Sequence, residues 1–351
     1  MAPRIVRKLA PKLAISLTAV VVVFGAAELI CRAAGVGPQP GSFRWVGDYE
    51  VAYYPMPDQQ THFGQPDPQT GLGTTPIRIN RYGQRGADYP LEKAPGEHRV
   101  AVVGDSLAMG NGVLDEECFP ARLEALLRAE DRPGTSTRVI NAAVNGWNTW
   151  NYAQWAKFKM PQFDPDTLVV GLYLGNDMAP AATGSGVIPI PLHSLLRDSA
   201  LYHWMLTSYR EFLWKRMEAV RLGKTMSELE QQLEEYKGVS ENQMSEADKR
   251  LLWETNALVQ LLRIRDAGRE QGVEIVVLLI PTWGLVDGEV TDEIHTFLRE
   301  RLEAGGIRVA TCLDELRTVG REGWLDWDEG HLSPIGNRIV AETLARQLLS
   351  Q

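Results

Sequence analysis

Three residues of the sequence have types and spacing suited to nucleophilic catalysis. Ser106 follows an apolar run that ends at Gly104, and Asp328 and His331 lie close together near the C-terminus. A serine hydroxyl is a weak nucleophile at neutral pH, and it needs an imidazole that accepts its proton during attack. The imidazole needs an acceptor on its other nitrogen, which fixes the tautomer and stabilises the charged ring. We therefore expect Ser106 as nucleophile, His331 as base and Asp328 as its orienting carboxylate.

Two further residues could stabilise the negative oxygen of a tetrahedral intermediate. Gly146 lies just after the apolar run 138–144, and Asn176 lies at the end of the run 167–177. A hydrogen-bond donor aimed at that oxygen is typically worth about 10²–10³ in rate. The backbone amides of Ser106 and Gly146 and the side-chain amide of Asn176 are the candidate donors.

Each of these residues also has an ordinary structural interpretation. A serine after a strand commonly caps a helix, a glycine there forms a turn, and Asp328 with His331 could cap the last helix. Taken together, however, the strand ends would have to present a nucleophile, two donors and an acid-base pair by chance. The combination favours catalysis.

The residues that flank these positions are candidates for contact with a substrate. For Asp105, which precedes Ser106, a structural role in the turn is favoured over substrate contact. Large aromatic side chains also pack in a core or at its rim more often than they bind a ligand. The candidates are Asp105, Met109, Asn111, Trp147 and Trp327.

Short apolar runs that alternate with helical patterns predict an α/β fold with a parallel sheet covered on both sides. We expect this fold over residues 98–351, with a helical insertion at about 182–271 whose role is open between packing, a lid, and a membrane or partner contact. The apolar runs are 99–106, 138–144, 167–177, 274–281 and 307–316.

Residues 37–97 are rich in Pro, Gly, Asp and Gln and predict an irregular linker or cap.

The N-terminal part of the chain has the pattern of a membrane anchor. Four basic residues precede residues 13–30, whose only charge is Glu28. As a helix this segment is roughly 27 Å long, enough to cross a hydrocarbon core. The basic flank predicts a cytoplasmic N-terminus within residues 1–36 and an extracytoplasmic remainder. A cleaved signal peptide is the alternative.

Composition limits the other partners. The formal net charge of −9 argues against nucleic acid, which is bound through a basic surface. No paired-cysteine or paired-histidine metal motif occurs in the sequence, so we expect neither a metal site nor another cofactor.

Four segments resemble the conserved blocks of the SGNH, or GDSL, hydrolase family: GDSL at 104–107, Gly146 in VNGWN, GND at 175–177 and DEGH at 328–331. The resemblance implies a three-layer α/β/α, flavodoxin-like sandwich and a cofactor-free serine esterase or acyl hydrolase. It also implies the same residue roles as above. The segment IRINRYGQRG at 77–86 and the insertion resemble those of membrane-anchored bacterial members.

These observations lead to one expected function and two alternatives. We expect a membrane-anchored, extracytoplasmic serine esterase that removes an O-acyl group from a cell-envelope glycan or, less favoured, from a lipid. The same acyl-enzyme could instead pass its acyl group to a sugar hydroxyl, as an O-acyltransferase in polysaccharide modification. The other alternative is a non-catalytic envelope scaffold that binds a protein partner through the insertion.

Overall fold

The computed structural model describes residues 2–34, 43, 45–48, 50–63, 75–177, 199, 201, 202, 204, 205, 225, 227 and 253–350. The chain divides into two compact units. One unit comprises Met1–Ser42 with Ile188–Glu234, and the other comprises Phe43–Val187 with Glu235–Gln351. All the predicted site residues belong to the second unit.

The first unit contains helix α1 (Ala2–Ala33). The carboxylate of Glu28 accepts hydrogen bonds from Arg32 Nε at 2.8 Å, from Ser199 Oγ at 2.7 Å and from the Leu201 backbone N–H at 2.9 Å. No helix in the part of the chain that the structure describes is sufficiently long and apolar to span a membrane. The membrane-spanning helix predicted for residues 13–30 is thus not found there, and a network of polar contacts lies within the predicted span.

The segment predicted to be an irregular linker contains two β-hairpins. Strand β1 (Trp45–Asp48) pairs antiparallel with β2 (Ala52–Pro55), and β3 (Gln59–Phe63) pairs antiparallel with β4 (Thr75–Ile79). Alternate residues of β4 are buried, among them Ile77 and Ile79. The prediction was wrong for the described part of residues 37–97, because such short alternating runs are hard to see between prolines and glycines.

Five parallel strands form the central sheet, and this part of the prediction is confirmed. Their spatial order is β6-β5-β7-β8-β9. Counted along the core alone this order is 2-1-3-4-5, the flavodoxin-like order, in which ligands bind beyond the carboxyl ends of the strands. The strands are β5 (Glu97–Gly104), β6 (Ser136–Asn141), β7 (Thr167–Tyr173), β8 (Glu274–Ile280) and β9 (Arg308–Thr311).

Nine α-helices of the second unit are described, together with a hairpin near the C-terminus. They are α2 (Ser106–Met109), α3 (Phe119–Ala129), α4 (Thr149–Phe158), α5 (Met160–Phe163), α6 (Val259–Gln271), α7 (Trp283–Asp287), α8 (Glu293–Ala304), α9 (Leu313–Val319) and α10 (Pro334–Leu349). Strand β10 (Trp324–Leu325) pairs antiparallel with β11 (Asp328–Leu332).

The helices cover both faces of the sheet. From β5 the chain steps to one side to form β6, and it then crosses back to the other side of β5 to form β7. Because crossovers between parallel strands are right-handed, these opposite steps place α3 and α4 on opposite faces. Accordingly α3 packs against α10, and α4 packs against α6.

Part of the predicted insertion belongs to the α/β core. Helix α6, preceded by a π-helical turn (Trp253–Leu258), buries Leu261 and Ile264. It therefore serves as the crossover helix into β8 rather than as inserted structure. The remainder of the predicted insertion, residues 182–252, lies outside the described residues, apart from a few isolated positions.

Candidate active site

The loop that carries Ser106 is a tight turn between β5 and α2. The side chain of Asp105 accepts a hydrogen bond from the Leu107 backbone N–H at 2.9 Å and so caps α2, which begins at Ser106. Glycine is required at position 104, because a Cβ atom there would lie 2.5 Å from the Cβ of Ala108. The sequence Gly-Asp-Ser thus lets α2 pack directly on the strand and holds Ser106 at the carboxyl end of the sheet.

The structure brings the three predicted catalytic side chains together. Ser106 Oγ lies 2.9 Å from Nε2 of His331, and Nδ1 of His331 lies 2.5 Å from Oδ2 of Asp328. The other oxygen of Asp328 accepts the Gly330 backbone N–H at 2.9 Å, which fixes the carboxylate on β11. This arrangement allows His331 to take the serine proton through Nε2 while Asp328 holds its other nitrogen.

The two other predicted oxyanion donors belong to the loops after β6 and β7. Gly146 has a φ of +76°, a conformation that favours glycine. Its loop is held by Tyr53, whose hydroxyl donates to the carbonyl oxygen of Asn145 at 3.0 Å. Asn176 is an exposed residue, and its side chain hydrogen-bonds the carboxyl group of Asp105, beside Ser106.

Two buried carboxyl groups lie behind the nucleophile. Burial raises the pKa of Asp105 to about 6, while the hydrogen bond from Leu107 and the nearby His331 act in the opposite direction. Burial also raises the pKa of Asp177 well above its usual range, and the charge of Asp105 adds to this effect. Asp177 accepts hydrogen bonds from Tyr152 Oη at 2.9 Å and from the Tyr173 backbone N–H at 2.8 Å. Asp177 therefore holds the end of β7 in place.

The five candidate substrate contacts occupy different environments. Met109 and Trp147 are 0 % and 2 % exposed, and the indole of Trp147 donates to the Tyr53 carbonyl at 2.9 Å. These buried positions contradict the prediction that Met109 and Trp147 contact substrate, because both side chains pack in the apolar core. Asp105 is also fully buried, whereas Trp327, which precedes Asp328 in the sequence, is 40 % exposed. Asn111 lies beside His331, with 3.4 Å between its Nδ2 and the imidazole Nε2.

Sequence reasoning did not identify Arg85, whose side chain is 1 % exposed. Its guanidinium donates to the carbonyl oxygens of Met109 at 2.9 Å, Gly110 at 2.5 Å and Val113 at 2.7 Å. It also forms an ion pair with Asp115 at 2.8 Å. Arg85 thus fixes the loop that follows the nucleophile. The only signal was its place in the segment 77–86, which the resemblance had singled out without a role.

No cluster of His, Cys, Asp or Glu within the described ranges could hold a metal ion.

Comparison with known proteins gives similarity to solved structures alone. No family model matches the sequence, and no curated protein matches it. The structure resembles that of TesA, with 16 % identity, a TM-score of 0.42, and coverage of 72 % of this chain and 98 % of that one. It resembles a catalytic variant of an acetylxylan esterase from Geobacillus stearothermophilus, with 13 % identity, a TM-score of 0.41, and coverage of 74 % and 98 %.

A lipase/acylhydrolase from Enterococcus faecalis is also similar, with 13 % identity, a TM-score of 0.39, and coverage of 72 % of this chain and 95 % of that one. The solved structures that resemble this chain thus include ester hydrolases.

Proposed function

We propose that the protein is a serine hydrolase that cleaves carboxylic esters through an acyl-enzyme. The observation that supports this most directly is the continuous contact from Asp328 through His331 to Ser106, with distances of 2.5 Å and 2.9 Å. Ser106 lies at the carboxyl edge of a parallel sheet, where α/β proteins bind their ligands.

The first half-reaction forms the acyl-enzyme. Ser106 Oγ bonds to the carbonyl carbon of the ester while its proton moves to Nε2 of His331. The carbonyl oxygen becomes negative and is stabilised by the amides of Ser106, Gly146 and Asn176. When the intermediate collapses, the bond to the alcohol oxygen breaks, and His331 gives that oxygen the proton. The acyl group remains on Ser106.

The second half-reaction releases the acyl group. An acceptor hydroxyl attacks the acyl carbon while His331 takes its proton, and Ser106 recovers the proton when the bond to Oγ breaks. Water as acceptor gives hydrolysis. A sugar hydroxyl as acceptor gives the transfer reaction of the alternative function.

For the substrate, we propose an O-acyl group on a cell-envelope glycan, ahead of a lipid, and an extracytoplasmic catalytic unit. The support is the sequence, in which four basic residues precede the apolar residues 13–30. Protease treatment of intact and permeabilised cells that carry the full chain tests this location. Digestion of the catalytic unit only after permeabilisation of the cytoplasmic membrane would contradict it.

Labelling of the full-length chain with a fluorophosphonate, followed by intact mass measurement, tests the reaction. We expect one adduct on the wild type and none on Ser106→Ala, together with hydrolysis of 4-nitrophenyl acetate by the wild type alone. The variant should unfold at nearly the same temperature, since only one hydroxyl is removed. A folded wild type that neither labels nor hydrolyses would contradict the proposal and favour the scaffold.

A further inference from the structure

Asn111 occupies an unusual position beside the imidazole of His331. Its Nδ2 lies 3.4 Å from Nε2 of His331, the nitrogen that also faces Ser106 Oγ. The same Nδ2 lies 3.5 Å from Oδ1 of Asn145. Oδ1 of Asn111 is buried and has no hydrogen-bond partner among the described residues. A buried amide oxygen without a partner is costly, and such a cost in a native structure indicates that the side chain has a role other than stability.

The backbone on both sides of Asn111 is fixed. Gly110 ends α2 with a φ of +87°, and its carbonyl oxygen accepts from Arg85. Arg85 also holds the carbonyls of Met109 and Val113, before and after Asn111. The position of the Asn111 side chain is therefore built into the loop, as expected for a group that must meet a reacting atom.

The second half-reaction needs a place for the acceptor. The attacking oxygen must lie within hydrogen-bond distance of Nε2 and face the acyl carbon on Ser106 Oγ. An oxygen about 3 Å from Nε2 can also lie about 3 Å from Nδ2 of Asn111, since the two nitrogens are 3.4 Å apart. No other side-chain amide in the described part of the chain hydrogen-bonds this imidazole nitrogen.

We propose that Asn111 binds the acceptor of the second half-reaction, either water or the hydroxyl of a polyol such as a sugar. This inference rests on the proposed function and specifies how the same site holds its acceptor. Nδ2 donates a hydrogen bond to the acceptor oxygen, whose own proton points at Nε2. That proton moves to His331 as the oxygen bonds to the acyl carbon, and it returns to Ser106 Oγ when the ester bond to Ser106 breaks. The product is a free acid with water and a new ester with a polyol.

The experiment compares the full-length wild type with Asn111→Ala and with Leu114→Ala, a control at an exposed position of the same loop. The rate of fluorophosphonate labelling reports activation of Ser106 without deacylation. Turnover of 4-nitrophenyl acetate, with intact mass spectra taken during turnover, reports both half-reactions. Product analysis with glycerol present measures transfer of the acyl group to a polyol hydroxyl beside hydrolysis.

We expect Asn111→Ala to label within about threefold of the wild-type rate but to lose at least about tenfold in kcat, the loss of roughly one hydrogen bond. The acetylated chain should accumulate during turnover, and transfer to glycerol should fall together with hydrolysis. Leu114→Ala should match the wild type. Labelling that falls in parallel with kcat, or an unchanged kcat, would overturn the role of Asn111. A wild type that does not label at Ser106 would instead overturn the proposed function itself.

Discussion

The side-chain amide of Asn176 hydrogen-bonds the carboxyl group of Asp105, which in turn caps the helix that begins at Ser106. The amide group of asparagine carries two hydrogens. One of them is used in this contact, and the other is available to the carbonyl oxygen of a substrate. Asp105 thereby ties the loop after β7 to the loop of the nucleophile.

Replacement of Asn176 tests the role of this amide. Asn176→Ala should lower kcat/KM by about 10²–10³, the typical effect of one oxyanion donor, with a small change in the unfolding temperature. Ester hydrolysis and thermal unfolding measure the two effects. Asn176→Asp keeps the shape but loses the donor, and it should be equally slow. Activity of either variant within a few-fold of the wild type would show that Asn176 is not a donor.

Asp105 makes the stability of the protein depend on pH. Burial raises the pKa of its carboxyl group to about 6, from the usual 3.8, so the native state binds this proton more strongly than the unfolded state. This group therefore lowers the free energy of unfolding as pH rises from about 4 to about 6. Asp105→Asn cannot ionise and should gain on the wild type through that window, by at most about 3 kcal/mol. Urea unfolding from pH 4 to pH 7 measures the difference, and a constant difference would contradict the assignment.

The proximity of Ser106 and Asn176 could be predicted from the sequence because parallel strands bring their carboxyl ends to one edge of the sheet. Ser106 follows β5 and Asn176 follows β7, so periodicity alone placed these side chains near each other. The sequence contained no information on distance between Ser106 and His331, which are 225 positions apart. Only the order of the four segments that resemble the SGNH blocks indicated that these two side chains meet.

The parts that were not predicted depend on packing. Met109 lies three positions after Ser106 and Trp147 directly follows Gly146, but both side chains are buried in the core. Arg85 is a charged residue in a polar segment, where a solvent-exposed position is the usual expectation. Its burial depends on carbonyl groups that the loop after Ser106 turns toward it, which no local pattern reveals.

Loss of Arg85 should destabilise the loop that it holds. Arg85→Ala leaves buried carbonyl groups and Asp115 without their donor and should lower the free energy of unfolding by about 3–5 kcal/mol. Arg81→Ala is the matched control, because Arg81 lies in the same segment but forms an exposed pair with Asp88. That variant should unfold almost like the wild type. Equal stability of the two variants in urea would contradict the structural role of Arg85.

Gly146 should be sensitive to a methyl group for two separate reasons. Its φ of +76° is unfavourable for other residues, and a Cβ atom would lie 2.9 Å from the hydroxyl of Tyr53. Gly146→Ala should cost about 1–2 kcal/mol of stability and, because it displaces an oxyanion donor, at least about tenfold in kcat. Gly134→Ala is the control, since Gly134 also has a positive φ but no neighbour within 4 Å of its Cβ position. It should lose stability but keep its kcat. A kcat that falls equally in both variants would assign the loss to general destabilisation rather than to the donor at Gly146.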